Sequence, residues 1–289
     1  MLYVSGEVSD SEIEVSDSRT NRTWVSSFEE AKSLGKVYGL GNNTIVTTYR
    51  DVDDFLTRYC LRQKLVSPLE FKLSYTENKI VLEVESYSSN AIKTIAIPDF
   101  VDAIADFCFE GYEALESVVI PNSVMRLGDW CFGGCSALES IVIPDSVIDL
   151  GASCFNGCSA LKSIVIPDSV LHIGNLCFDD CTSLESISIP NSVKRLGDGC
   201  FWGCVSLESI DMPSVESLGH NCFVDCTSLR SVAIPSVTFI GDSCFLDCTS
   251  LSSMRGYSSV RDVGRLCLKG TALPILPFEK NCKYIHGTR

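Results

Sequence analysis

The sequence contains no run of about eighteen consecutive apolar residues, so it lacks the signature of a membrane-spanning helix. Histidine is scarce, with three in 289 residues, which leaves few sources for an imidazole-built metal or acid–base centre. Positive charge is also short: 23 Lys and Arg face 37 Asp and Glu, for a net charge of −14. Residues 1–90 hold ten basic and fourteen acidic side chains, and the rest hold thirteen and twenty-three. An acidic surface of this kind repels phosphate, so nucleic acid is disfavoured and a basic protein partner is electrostatically easier. The opening Met1-Leu2-Tyr3-Val4-Ser5-Gly6-Glu7 has no basic segment and turns acidic at once, which does not read as a secretory leader. The expectation is a soluble cytoplasmic protein in a reducing compartment, unless a leader has been trimmed from it. Gly39-Leu40-Gly41-Asn42 lacks a third glycine and reads as a loop rather than a phosphate cradle. No isolated carboxylate pair marks an acid/base site.

What is present in excess is repetition. Leu115 to Leu138 reads LESVVIPNSVMRLGDWCFGGCSAL, and near-copies begin at Leu138, Leu161, Leu184, Leu207 and Leu229. Phe109, Phe132, Phe155, Phe178, Phe201, Phe223 and Phe245 fix the register, with Leu268 in the eighth place. The spacing is 23 residues and falls to 22 for the two steps after Phe201, where Pro-Asp-Ser-Val shortens to Pro213-Ser214-Val215 and Pro235-Ser236-Val237. A fixed period over most of a chain marks a repeat architecture. Within one unit Leu138, Ile141 and Ile143 follow L-x-x-I-x-I, so the last two face one way and Val142 the other, as in a short strand. Pro144 ends the strand for want of an N–H. Val147 and Leu150 return inward, Gly151 opens a turn, and Cys154, Phe155 and Cys158 pack the far side. One unit cannot bury these residues alone, but stacked units share a continuous core.

This pattern resembles the BspA-type leucine-rich repeat, I-x-I-P-x-S-V-x-x-I-G-x-x-A-F-x-G-C-x-x-L, over roughly Ile92 to Leu273. A systematic departure puts Cys where the family has Ala before Phe, at Cys108, Cys131, Cys154, Cys177, Cys200, Cys222, Cys244 and Cys267. The resemblance implies a right-handed, curved, strand-rich solenoid of about eight units (residues 91–273), used to recognise other macromolecules. It implies no catalytic residues and no cofactor.

Residues 1–90 lack the repeat and read as a small α/β domain. Leu2 to Val8, Ile13 to Val15 and Thr44 to Tyr49 are strand-like. Ser27 to Glu30 fits a capping box before a helix stopped at Gly35, and Asp51 caps a second helix with Val52, Phe55, Leu56, Tyr59 and Cys60 on one face. Phe71, Leu73 and Tyr75 alternate with polar residues, as do Ile80, Leu82 and Val84, so a hairpin turning at Glu77-Asn78 is expected. Such a domain either covers the open end of the solenoid, which needs a cap, or is an effector or enzymatic module targeted by the repeats. Ala105 departs from the repeat pattern at the first unit, and Tyr257 and Thr271 depart from it near the last. Residues 274–289 read as a C-terminal cover.

Six units carry C-F-x-x-C, a spacing open to zinc. The pattern recurs with equal strength along the array, whereas a metal site would be singular. Buried Cys also behaves as a small hydrophobe, so unbonded core thiols are the expectation. Strands about 4.8 Å apart leave a disulfide ladder sterically open, and the reducing compartment argues against it. His172 aligns with Arg126, Asp149 and Arg195, and His220 with Asp129, Asn175 and Asp198. Both columns are variable and polar, which places them in solvent and not in a Cys/His pair.

The outward columns carry the candidate binding residues. One row is Ser117, Ser140, Ser163, Ser186 and Ser209; beside it run Val119, Val142 and Val165, then Ser188, Asp211 and Ala233. Three stacked exposed valines would form an apolar strip, read either as plain β-propensity or as a recognition surface. A second row, one residue past Phe, runs Gly133, Asn156, Asp179, Trp202, Val224, Leu246. Its Trp-Val-Leu end suits a partner, a self-contact, or burial beneath the C-terminal cover. The function these features favour is a non-enzymatic scaffold that binds a partner protein. A targeted N-terminal effector and a cell-surface adhesin are the alternatives.

Overall fold

The structure is a computed structural model. It describes residues 92–97 and 101–274 in full, and five earlier strands by their backbone. Those strands are β1 (Leu2–Val4), β2 (Ile13–Asp17), β3 (Arg22–Ser26), β4 (Phe71–Thr76) and β5 (Lys79–Val84). The first three form an antiparallel sheet in the order β1-β2-β3. The helices expected at 27–35 and 51–60, the strand at 44–49 and most of the C-terminal cover lie outside the described residues.

From Ile92 onward the chain winds as a solenoid with a parallel sheet on each of two faces. On the first face Ser163–Val165, Ser186–Ser188, Ser209–Asp211, Ser231–Ala233 and Ser253–Arg255 pair in register, and Thr94–Ala96 pairs with Ser117–Val119. The coil between these sheets contributes a single bridge, Val142 to Val165. Its side chains still alternate, with Ile141 and Ile143 each 5 % exposed and Val142 79 %. On the second face eight two-residue strands, from Ala103–Ile104 to Asp262–Val263, form one unbroken ladder.

The deletion site is visible in the register. Ser186 pairs with Ser209, 23 residues on, whereas Arg195 pairs with Ser217, 22 residues on. The missing residue therefore falls in the Pro213 turn between the faces, where backbone can shorten without disturbing the packed strands.

The Phe column is the axis of the core. All seven Phe residues and Leu268 are 0 % exposed. Successive rings stack at centroid separations from 5.6 Å (Phe132–Phe155) to 5.1 Å (Phe223–Phe245), with planes within 14° of parallel. Leu, Ile and Val of the L-x-x-I-x-I and S-V-x-x-I segments fill the space between the column and the sheets.

Two backbone constraints hold the coils at this distance. A Cβ on Gly151 would lie 2.5 Å from the backbone of Asp129 and Gly128, so only glycine lets adjacent coils approach. Ala105 heads this column, and the strand before its own is β5 of the hairpin and not a strand of another coil. A left-handed residue also occurs on each side of the Cys-Phe pair, as at Ser153 (φ 54°) and Gly157 (φ 68°). The first of these columns holds Phe107, Trp130, Ser153, Leu176, Asn221, Ser243 and Leu266 besides Gly199. It contains no β-branched residue, the type for which that region is most strained.

The hairpin is found where the sequence placed it: β4 and β5 pair antiparallel, with Thr76 opposite Lys79 across Glu77-Asn78. Its place in the whole was not legible. β5 pairs in parallel with Ala103–Ile104, so the hairpin extends the second face by two strands, to ten.

Candidate recognition surface

The outer surface of each coil is set by residues whose neighbours in sequence are locked inward. On the strand face the pattern exposed–buried–exposed recurs at Ser117–Val119, Ser163–Val165, Ser186–Ser188 and Ser209–Asp211. Ser117, Ser140 and Ser163 are exposed as expected. Val119, Val142 and Val165 are 60 %, 79 % and 74 % exposed, so the three valines form a continuous outward strip. Beyond Val165 the same row becomes Ser188, Asp211, Ala233 and Arg255, with an ion pair from Arg255 to Asp211 at 3.8 Å.

Carboxylates flank the strip. Glu116 receives Lys93 Nζ at 2.6 Å, and Glu139 lies 3.9 Å from Lys162 Nζ. These pairs are exposed and contribute little to stability. Further round, Arg126 sits among three carboxylates, 3.3 Å from Asp149, 3.6 Å from Asp106 and 3.8 Å from Asp129.

The second candidate row is corrected by the structure. Trp202 is 40 % exposed and Leu246 is half-buried, but Val224 is 4 % exposed and offers no open surface. Asp179, one coil before Trp202, accepts a 2.7 Å hydrogen bond from Asn156 Nδ2. Partial burial, with the nearby Asp180 charge, lifts its carboxyl to about 6.

The cysteines have a structural task that periodicity alone did not reveal. The second thiol of each C-F-x-x-C donates to the carbonyl of the Phe one coil back: Cys135 to Phe109, Cys158 to Phe132 and Cys181 to Phe155, all at 3.2 Å. Cys204, Cys226 and Cys248 continue the series at 3.1, 3.1 and 2.9 Å. A thiol is small and apolar enough for the core yet still supplies a weak donor to a buried carbonyl. In the first coil Tyr112 takes this place and packs edge-on against Phe109 at 5.7 Å. The fourteen cysteines of the described residues are all buried. Burial pushes the Cys131 thiol up to about 11 and raises Cys154, Cys177 and Cys181 as well. Such thiols stay protonated at neutral pH and are poor nucleophiles.

The His220 column also does more than face solvent. Asp129 N–H donates to Asp106 Oδ1 at 2.8 Å, Ala152 N–H to Asp129 Oδ1 at 2.9 Å, and Asp198 N–H to Asn175 Oδ1 at 2.9 Å. His220 N–H donates to Asp198 Oδ1, and His220 Nδ1 accepts in turn from Asp242 N–H at 3.0 Å. The imidazole thus serves as one acceptor in a ladder that stitches coil to coil. His172 is exposed on the second face. Both rings are exposed while the described cysteines are buried, so no thiol is set up as their partner.

Parallel strands, a stacked aromatic axis and variable outward rows define a leucine-rich-repeat solenoid that displays an extended surface. The chain belongs to the BspA type leucine-rich repeat family, whose pattern matches residues 80–208 and 171–288. A leucine-rich repeat protein of T. pallidum is similar at 25 % identity, covering 76 % of this chain and 97 % of its own, with a TM-score of 0.56. A leucine-rich repeat protein from Bacteroides ovatus ATCC 8483 covers 99 % of this chain and 96 % of its own at 20 % identity, with a TM-score of 0.28. The pneumococcal vaccine antigen PcpA covers 71 % of this chain and 78 % of its own at 15 % identity, with a TM-score of 0.39. No curated protein matches the chain. Among the described residues, no helix is long and apolar enough to cross a membrane.

Proposed function

We propose that this protein is a non-enzymatic recognition scaffold that binds a partner protein through the strand face of its solenoid. The observation that carries this reading is the strip of Val119, Val142 and Val165, three large apolar side chains left 60–79 % exposed on consecutive coils. The Ser117, Ser140 and Ser163 row beside it leaves the strip accessible and supplies hydrogen-bonding groups at its edge. The test is co-purification from native cells with the wild-type chain and with Val142→Lys. Partners retained by the first and lost from the folded second support the reading; partners retained equally by both overturn it.

Residues 1–90 serve in this reading as a cap, supported by the addition of β5 to the first coil's sheet. Deleting them should leave the solenoid end open and lower solubility, whereas an effector module would be lost without that penalty. The thiol columns support a reducing, cytoplasmic site of action. Six thiols donate hydrogen bonds to Phe carbonyls, and a disulfide would remove those donors. Trapping thiols by alkylation during native lysis should yield fully modified protein after unfolding; bonded pairs would point to an exported adhesin instead. Trp202 and Leu246 remain as a self-contact, for which light scattering of Trp202→Ser against wild type is the measurement.

A further inference from the structure

The strand face has a spacing as well as an apolar strip, and the spacing selects a shape of partner. Successive Phe rings stand 5.1–5.6 Å apart in the core, and the paired parallel strands of this face stand about 4.8 Å apart. An α-helix advances about 5.4 Å per turn, whereas alternate residues of an extended strand lie about 6.8 Å apart. A helix laid along the solenoid axis runs ahead of the coils by about 0.6 Å per turn, about 1.2 Å across the three valines, so it keeps one turn over each of those coils. An extended segment falls out of step within two or three coils.

The charges select a sign. Asp145 and Asp168 are exposed on the turns just after Val142 and Val165, and Glu185 and Glu208 are exposed on the next two coils. Among the described residues none of these four joins an ion pair, while Lys93 and Lys162 are already engaged by Glu116 and Glu139. The strip is thus apolar along its length, with unpaired carboxylates on the turns after two of its valines and on the two coils beyond it.

We propose that the strand face takes a basic amphipathic α-helix of a partner protein, with the helix's apolar stripe over Val119, Val142 and Val165. Lysines and arginines along the helix edges face the four carboxylates. About fourteen helical residues span the roughly 20 Å from the coil of Val119 to that of Glu208. This rests on the strand-face reading above and narrows it to one secondary structure and one sign of charge.

The test uses the full chain and three labelled peptides of about fourteen residues. One is a leucine–lysine peptide with leucine at helical spacing. The second has the same composition in strict alternation, and the third is the helical peptide with glutamate in place of lysine. Fluorescence anisotropy at physiological salt should show the helical leucine–lysine peptide binding about ten-fold or more tighter than either other peptide. Val142→Lys should weaken it about ten-fold, and Val205→Lys, which adds the same charge at an exposed position off the strand face, by less than about two-fold. If the alternating peptide binds as well as the helical one, and Val142→Lys weakens both, the helix is wrong and the strand-face reading stands. Equal weakening by Val142→Lys and Val205→Lys overturns both, since binding is then a general attraction to an acidic chain. Tighter binding of the glutamate peptide overturns the charge assignment.

Discussion

The coils of Phe132, Phe155 and Phe178 and those of Phe201, Phe223 and Phe245 have the same interior and different exteriors. In both sets the Phe, both cysteines and the inward Leu, Ile and Val positions are buried, with Met212 replacing one Ile. On the strand face the first set presents Val119, Val142 and Val165, and the second presents Ser188, Asp211 and Ala233. The second set also carries Trp202 and the shortened turns. The difference separates two constraints. Inward columns are held by the neighbouring coil, whose atoms leave room for one shape; outward columns meet the neighbouring coil through polar contacts at most and can change from coil to coil. Variation on a uniform interior is where function is to be sought.

The largest effect should come from breaking the shared interior. Phe155→Ala removes a ring stacked between two others and should cost about 3–5 kcal/mol in chemical denaturation. Gly151→Ala drives a methyl into the backbone of the previous coil and should cost about 2–3 kcal/mol. By contrast, Gly157→Ala has space beyond 3.6 Å and strains only its φ of 68°, so about 1 kcal/mol is expected. Measuring the two glycine variants side by side separates close approach from left-handed backbone. Cys158→Ala leaves the Phe132 carbonyl without its cross-coil donor and should cost about 1–2 kcal/mol.

A smaller effect lies at the border of the two sets. The Asp179 carboxyl is raised to about 6 in the folded chain, above the ordinary value of 3.8. Folding therefore takes up a proton between about pH 4 and 6, and this group's contribution favours the folded state at low pH and fades as pH rises through 6. The side chain is half-exposed, so solvent screening holds the effect to about 1 kcal/mol or less. Asp179→Asn should raise stability slightly at pH 7 and flatten the pH dependence of unfolding over that window. The smallest effect should be that of His172→Ala, an exposed position on the second face, within about 0.5 kcal/mol.

The interior was legible because stacking imposes its period directly on the residues. Phe109 to Phe245, the inward Ile pairs and the outward valines fall where the spacing puts them. The hairpin at 71–84 was legible from its alternation. The cross-coil chemistry was not. The thiol of Cys158 and the carbonyl of Phe132 are 26 residues apart, and that relation exists only once two coils are stacked. The same holds for the Asp, Asn and His220 ladder, whose variable polar residues look unconstrained in one dimension. For the Trp202, Val224, Leu246 row the sequence left open display or burial, and the structure buries Val224 alone; a row position gives a direction and not an exposure.

The cross-coil hydrogen bonds that hold this stack reach only the adjoining turn, as from Cys158 to Phe132 or from Ser146 to Val124. Length is therefore a free parameter. Excising residues 139–161 would splice Leu138 to Lys162 in unchanged phase and give a rod shorter by about 5 Å. A gene for such a chain can lengthen or trim its footprint by tandem duplication or loss of one unit, as a ruler is cut at its gradations.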